Sequence, residues 1–322
     1  MSSADRLDAS IFVALAAYRE PELGATIQSC VERAANPDRL RFGVVEQYDD
    51  EIDGAGYDAI TDLVAQWPID RVRVPHTQAR GGCWARHAVQ GMYDGEAYTL
   101  QIDAHSRMAD GWDRELIEVM HTLPSEKPLL TGFPALYEVI DGEDRLCDDP
   151  DLPYPVTLVD LWAREGWIRH PTVPPPADAE CVARRTRVLS GAFVFTLGAW
   201  NVEVRQDPEH LYTGEEFALA LRSFTSGYDL WNPPRRTVWH RLHPQANPKY
   251  ISDDPDGKQQ WRHRRACSRL RALLRGDPGG VLEPYGLGTE RTLADYAAYS
   301  GLDCASQTIA PEARIGIEPA AP

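Results

Sequence analysis

At 322 residues the chain is long for one domain and short for three, so one large α/β domain or two fused halves is the expectation. Its 43% hydrophobic content can supply a core, while a formal net charge of −16 argues against a general role on nucleic acid or at a membrane surface, both of which call for basic patches. Residues 1–10 are polar, no run approaches the roughly 18 apolar residues of a membrane span, and six cysteines lie scattered without a C-x-x-C pair. A cytoplasmic chain with reduced thiols and no zinc site is the resulting expectation.

Residues 11–17 form a continuous apolar run, the pattern of a parallel strand covered on both faces. The run ends in Tyr18-Arg19-Glu20-Pro21, and Pro21 is placed to open a helix to about Arg33. Asn36-Pro37-Asp38 breaks that helix, residues 40–46 read as a second strand, and this β-α-β opening favours a doubly wound sheet. A loop over 47–57, a helix over 59–66 and a strand over 70–74 follow. Arg80-Gly81-Gly82 then opens a helix to about Tyr93, whose Trp84, Ala88 and Met92 recur at helical spacing and read as core. A strand over 98–103, a helix from Gly111 to about His121 and a strand over 129–134 complete the regular first half.

Residues 137–183 carry acidic and proline-rich pieces and read as a long excursion with little regular structure. Pattern returns with a strand over 191–195, a helix over 217–225 headed by Gly214-Glu215-Glu216, and a strand ending in Thr237-Val238-Trp239-His240. Beyond Tyr250 come an Arg-rich helix over 258–275 and a weakly patterned tail.

Asp103-Ala104-His105 closes the apolar strand that starts at Tyr98. Ligands gather at the carboxyl ends of strands in open α/β sheets, and alternate residues of an extended chain point the same way. An Asp-x-His placed there can put a carboxylate and an imidazole on one divalent cation. Such a cation would grip a diphosphate, which points to a nucleotide-sugar enzyme. The plainer reading is a helix cap or a surface pair. His240 is the candidate third ligand, with His243 as its local rival and a metal-free strand-end histidine as the alternative. Arg80, Arg86 and the Gly81-Gly82 turn can serve phosphate or be merely solvated. Tyr18 and Arg19 can meet a nucleobase or pack at the sheet edge. Glu215 and Glu216 suit a helix N-terminus by dipole alone, or one of them faces the sugar and the acceptor hydroxyl.

Several pieces in order resemble one family, the cytoplasmic GlcNAc-transferases typified by the enzyme that glycosylates hydroxyproline on a ubiquitin-ligase adaptor. They are Ile11-Phe12-Val13 with Ala17-Tyr18-Arg19-Glu20-Pro21, Asn36-Pro37-Asp38-Arg39, Arg80-Gly81-Gly82-Cys83-Trp84-Ala85-Arg86, residues 95–105, Gly111-Trp112-Asp113, and Gly214-Glu215-Glu216 with Arg222 and Gly227-Tyr228-Asp229. The chain reads Asp-Ala-His-Ser-Arg-Met over 103–108 where that family usually reads Asp-Ser-His-Met-Arg-Phe, so the metal positions are kept.

The resemblance implies a GT-A type α/β fold: a mostly parallel, Rossmann-like sheet flanked by helices, with an irregular acceptor-side excursion. It implies a UDP-sugar donor, a divalent metal (Mn2+ or Mg2+) and retention of anomeric configuration. Metal ligands would be Asp103, His105 and His240. Donor-contacting positions would be Ala16, Tyr18, Arg19, Arg80, Cys83, Arg86 and Asp103, and catalytic positions Glu216, Glu215 and Asp103. The organisation it suggests is a tail over 1–10, a glycosyltransferase domain over 11–250 and a C-terminal helical extension and tail over 251–322. Within that domain 11–135 is the nucleotide-sugar half and 136–250 the acceptor half. The expected function is metal-dependent transfer of a sugar, GlcNAc by resemblance, from a UDP-sugar to a hydroxyl on a peptide, protein or small molecule. The competing readings are a metal-dependent nucleotidyltransferase or phosphohydrolase and a non-catalytic nucleotide-sugar-binding protein.

Overall fold

The computed structural model describes residues 9–49, 51, 54–147, 149, 151–176, 178–241 and 249–322. The opening runs β1 (Ile11–Tyr18), α1 (Leu23–Arg33), β2 (Leu40–Tyr48), α2 (Gly54–Gln66), β3 (Ile69–Pro75) and α3 (Gly82–Gln90). Next come β4 (Tyr98–Asp103), β5 (Ser106–Met108), α4 (Trp112–Thr122), β6 (Pro128–Thr131), β7 (Ala135–Ile140) and β8 (Glu143–Leu146). The side chains of β1 alternate between two cores, as the pleat requires. Ile11, Val13, Leu15 and Ala17 face α1 and α4, whereas Phe12 and Ala14 face Ala85 and Val89 of α3. Burial on both faces is why this strand reads as an unbroken apolar run.

The fully buried stripe of α3 is therefore Ala85 and Val89. Trp84, Ala88 and Met92 pack against the same cluster from its margin, where they are partly rather than fully buried. Gly111-Trp112-Asp113 works structurally. Trp112 is fully buried and donates its indole N–H to Cys30 O at 3.0 Å, while the Asp113 carboxylate accepts the N–H groups of Ala35 and Asn36 at 2.7 and 2.8 Å.

The excursion holds more regular structure than its composition suggests. β7 and β8 form an antiparallel hairpin within it, followed by short strands β9 (Val156–Thr157), β10 (Leu161–Trp162), β11 (Ile168–Arg169) and β12 (Thr172–Val173). The chain continues through β13 (Arg184–Arg185), β14 (Phe193–Leu197), α5 (Trp200–Glu203), α6 (Glu215–Thr225), β15 (Asp229–Asn232), β16 (Val238–Arg241), α7 (Tyr250–Asp253) and α8 (Gln259–Leu274). It ends with α9 (Leu293–Ser300), β17 (Leu302–Asp303), β18 (Thr308–Ile309) and α10 (Pro311–Arg314). The tail is likewise better ordered than expected: Tyr296, Tyr299, Leu302 and Ala313 share a core with Phe217, Leu221 and Phe224 of α6 and with Leu270 and Leu273 of α8. Two-residue strands and single-turn helices are too short to leave a periodic signal, which is why the sequence hides them.

The main sheet has the order β13-β15-β6-β14-β4-β1-β2-β3. Four of its pairings are parallel (β4/β1, β1/β2, β2/β3 and β15/β6), and β14 runs antiparallel between β4 and β6. A smaller sheet, β5-β16-β7-β8, stands beside it. Its β16 pairs with β5 so that His240 lies opposite Ser106, and Arg241 N donates to His105 O at 2.9 Å. Glu22 secures this placement by accepting from Arg241 at 2.6 Å and from Arg107. Among the described residues no helix is long and apolar enough to cross a membrane.

Candidate active site

A cleft of about 320 Å3 opens where β1 and β4 end side by side, with Ala16 in register with Asp103. Ala16, Tyr18, Glu20, Arg86, Asp103, His105, Glu215 and His240 all line it. This is the crevice at strand carboxyl ends that an open α/β sheet offers to ligands.

One oxygen of Asp103 and one nitrogen each of His105 and His240 lie within 4.8 Å of one another. His105 Nε2 is 2.8 Å from His240 Nε2, which in turn is 3.2 Å from Asp103 Oδ2. His105 Nδ1 is 2.9 Å from Glu20 Oε2. Because a carboxylate only accepts, Nδ1 carries the proton, and Nε2 is the ring atom turned toward the cluster. A carboxylate holding the far nitrogen of a histidine is the usual outer support of a metal ligand. Two imidazole nitrogens facing each other beside a carboxylate need a hydrogen or a cation between them, because two bare lone pairs repel. The donor set of two nitrogens and one oxygen therefore fits a divalent ion such as Mn2+. Burial opposes ionisation of Asp103, but the hydrogen bond from His240 and the charge of Arg86 outweigh it and hold the carboxyl far below its usual range. Burial also works against the His105 imidazolium, and the Glu20 hydrogen bond with the Asp103 charge reverses that and raises its pKa.

Arg86, one turn into α3, bridges two acids: Nη2 lies 2.8 Å from Asp103 Oδ1 and Nη1 lies 3.0 Å from Glu215 Oε1. Its other side is closed by Gly191, where a Cβ would stand 2.8 Å from Nη1. Cys83 is fully buried beneath the cleft and donates its thiol to Glu215, and burial with the nearby Glu215 charge pushes the thiol pKa well up. Glu215 is thereby held on its Cys83 and Arg86 side.

Glu216, the next residue, takes a different place. Its Oε1 accepts the Gly191 N–H at 2.8 Å, Oε2 lies 3.5 Å from His170 Nε2, and it lines a neighbouring cavity rather than the cleft. Burial and the Glu215 charge raise its pKa to about 7 against the opposing Gly191 N–H.

The cluster thus gathers Asp103, His105, His240, Arg86 and Glu215, with Ala16 and Tyr18 on the wall. Four sequence candidates lie off the cleft wall: Cys83 is sealed beneath it, Glu216 lines the neighbouring cavity, and Arg19 and Arg80 lie apart. Arg19 is not on the cleft wall, because its guanidinium pairs with Asp253 at 3.1 Å, the same carboxylate that accepts from Tyr18 OH at 2.9 Å. Arg80 lines a separate cavity with His210 and Trp261, its guanidinium 5.8 Å from the Trp84 ring centre. The cause is the turn at Gly81, whose φ of 100° sends residues 80 and 82 to different sides, and it is Gly82 that reaches the cleft. His243 lies outside the described residues. Sequence reasoning assigned no role to Glu20, Gln47, Tyr212, Lys249 or Tyr250, all on the cleft wall. Glu20 alone carried a signal, as an acid just past the end of the first strand.

Among known families, the one described as Glycosyltransferase (GlcNAc) matches residues 10–61 and 57–306. No curated protein matches the chain in sequence. Of solved structures, the crystal structure of GalNAc-T7 with UDP, GalNAc and Mn2+ superposes with a TM-score of 0.59 at 15% identity, over 90% of this chain and 54% of that one. The S. aureus TarS 1–349 complex with UDP-GlcNAc has a TM-score of 0.47 at 10% identity, over 76% of this chain and 61% of that one. This chain therefore spans about half the length of the GalNAc-T7 chain, and that likeness establishes a GT-A fold. By the extent of the family match, the chain belongs to the Glycosyltransferase (GlcNAc) family.

Proposed function

We propose that this glycosyltransferase is metal-dependent and retaining, and that it moves a sugar, GlcNAc as the leading candidate, from a UDP-sugar to an acceptor hydroxyl. The observation that carries the reading is the Asp103–His105–His240 cluster at the end of β4, buttressed by Glu20, in a chain of this family. The presence of UDP and Mn2+ with GalNAc-T7, which shares the fold, agrees with it.

Asp103, His105 and His240 would hold the divalent ion, Mn2+ suiting the two imidazoles better than Mg2+. When bound, such an ion neutralises a diphosphate and stabilises it as a leaving group. Tyr18 and Ala16 border the donor, and α3 opens at Gly82 on the same space. Arg86 pairs with both Asp103 and Glu215 and fixes their direction. Glu216 orients the acceptor hydroxyl or stabilises cationic character at the sugar, and Glu215 acts in support. The acceptor hydroxyl attacks from the face that UDP leaves, and a departing phosphate oxygen takes its proton, so no protein base is obligatory. A cytoplasmic location and the division into residues 11–250 and 251–322 belong to the same proposal; a hydroxyproline-type acceptor is the form the resemblance implies, and a hydroxyl on a small molecule is the alternative.

UDP release from UDP-GlcNAc and UDP-glucose, measured with and without Mn2+, tests it. Metal-independent turnover, or full activity in Asp103→Ala, overturns the assignment. Pyrophosphate or phosphate release instead of UDP would favour a nucleotidyltransferase or phosphohydrolase, although only one carboxylate stands in the ligand cluster.

A further inference from the structure

Next to the cleft lies a second cavity of about 310 Å3 walled by Trp167, Ile168, His170, Tyr212, Glu216 and Phe217. We infer that it is the acceptor subsite and that it takes an uncharged, hydroxylated saturated ring, the chemistry of a pyranose, with His170 as a positioning residue beside Glu216. The inference rests on the glycosyl-transfer reading and deepens it.

Position comes first. Tyr212 lines both cavities, and the consecutive Glu215 and Glu216 each face one of them, so a group in the second cavity abuts the first directly. The shared wall is held under tension, since Tyr212 has φ 50°, a left-handed conformation that a bulky side chain adopts only when its surroundings impose it.

The wall chemistry selects the occupant. Trp167 is half-buried, Phe217 buried and Tyr212 exposed, so aromatic surface meets whatever enters. Aromatic faces pack against the apolar carbons of a saturated ring through dispersion and exclusion of water. No Lys or Arg lines this cavity among the described residues, and burial lowers the pKa of His170, keeping its imidazole neutral. A phosphate or carboxylate would find no counter-charge there.

Two polar atoms that face each other can fix the ring. Glu216 Oε1 is engaged by Gly191 N–H, which leaves Oε2 available, 3.5 Å from His170 Nε2. His170 is itself fixed by stacking on Phe133, with ring centres 5.3 Å apart and planes inclined by 28°. A hydroxyl has one proton to donate and lone pairs to accept. Set between these two groups, it donates to Glu216 Oε2 and accepts from an Nε2–H of His170.

The test uses the full chain with UDP and Mn2+. Saturation-transfer NMR is recorded with methyl β-D-glucopyranoside and methyl β-D-galactopyranoside as ring probes, against N-acetylserine N-methylamide and a methyl glucuronide. Ring-proton saturation from at least one neutral pyranoside, lost in Trp167→Ala and kept in Trp167→Phe, is expected. With UDP-GlcNAc as donor, His170→Ala should raise the KM for that pyranoside about tenfold or more, and His170→Gln should recover part of it while kcat changes little. Equal or stronger saturation of the serine derivative or the glucuronide overturns the ring assignment, as does transfer to a hydroxylated peptide with no pyranoside binding. An unchanged KM in both Trp167→Ala and His170→Ala overturns the subsite. Pyranoside binding that needs Trp167, without any UDP release, supports the cavity assignment and sinks the transfer reading instead.

Discussion

His105 Nδ1 lies 2.9 Å from Glu20 Oε2, and this one contact decides which nitrogen of the ring is left for a cation. Residues on two different elements, the turn after β1 and the end of β4, thus set a ligand's tautomer before any ligand arrives. Replacing Glu20 with Gln keeps the shape and removes the charge. Mn2+ affinity, measured by calorimetry, should fall roughly 10- to 100-fold. An unchanged affinity would show that Glu20 plays no part in orienting His105.

Arg86 is a guanidinium between two carboxylates, with side-chain exposures of 12% for Arg86, 25% for Asp103 and 11% for Glu215. Truncation to Ala leaves both acids uncompensated in a largely dry place, a loss of about 3–5 kcal/mol for a buried pair. Urea unfolding of Arg86→Ala should register a cost in that range. Arg86→Lys should recover only part, because an ammonium cannot serve both acids with one planar fork. A loss below about 1 kcal/mol, the level of an exposed pair, would contradict the buried-bridge description.

Glu216 has its folded-state pKa raised from 4.5 to about 7, chiefly by burial. An acid with a raised native pKa binds its proton more tightly when folded, so its contribution is complete below pH 4.5 and is lost as pH rises through about 7. Wild-type stability should therefore decline across that window, by at most about 1.4 kcal/mol for each pH step of one. Glu216→Gln should remove the decline, so its stability relative to wild type increases toward neutral pH. Denaturant melts at several pH values check this, and parallel curves for the two proteins would refute it.

Gly214 precedes α6 with φ 78°, and a Cβ there would meet Leu270 Cδ2 at 2.4 Å and Trp167 Cβ at 3.3 Å. Gly214→Ala should cost about 1–3 kcal/mol through overpacking and backbone strain. It should also depress turnover, because the displaced residues adjoin Glu215 and Glu216. Thermal unfolding with UDP-release rates tests both effects, and a variant with wild-type Tm and rate would rule the constraint out.

The parts legible in the sequence are those with long or symmetric signals. β1 announces itself because both of its faces are buried, and β4 because five of its six residues are buried ahead of Asp103. Asp103 and His105 were readable as a pair since they sit two apart where a buried strand ends, Asp103 as its last residue and His105 in the turn that follows, and His240 through its strand end. Tyr212 was not, because it reaches the cleft through a loop conformation that no periodicity encodes, and Glu20 offered only its place just past the first strand. His170 was hidden for a different reason. It lies just past a two-residue strand in a proline-rich stretch, and stacking on Phe133 and the approach of Glu216 give it its place. Arg19 and Arg80 show the converse, being chemically apt side chains that backbone turns carry away from the cleft wall.

The shared wall at Tyr212 has a thermodynamic corollary. A ligand in the first cavity that shifts this ring reshapes the wall of the second, so any coupling between the two occupancies runs through one side chain on a strained backbone. Linkage then demands reciprocity: the factor by which the first ligand changes affinity for the second equals the factor by which the second changes affinity for the first. An enzyme built this way can favour an order of arrival without a moving domain, with a single tyrosine as the point through which each substrate senses the other.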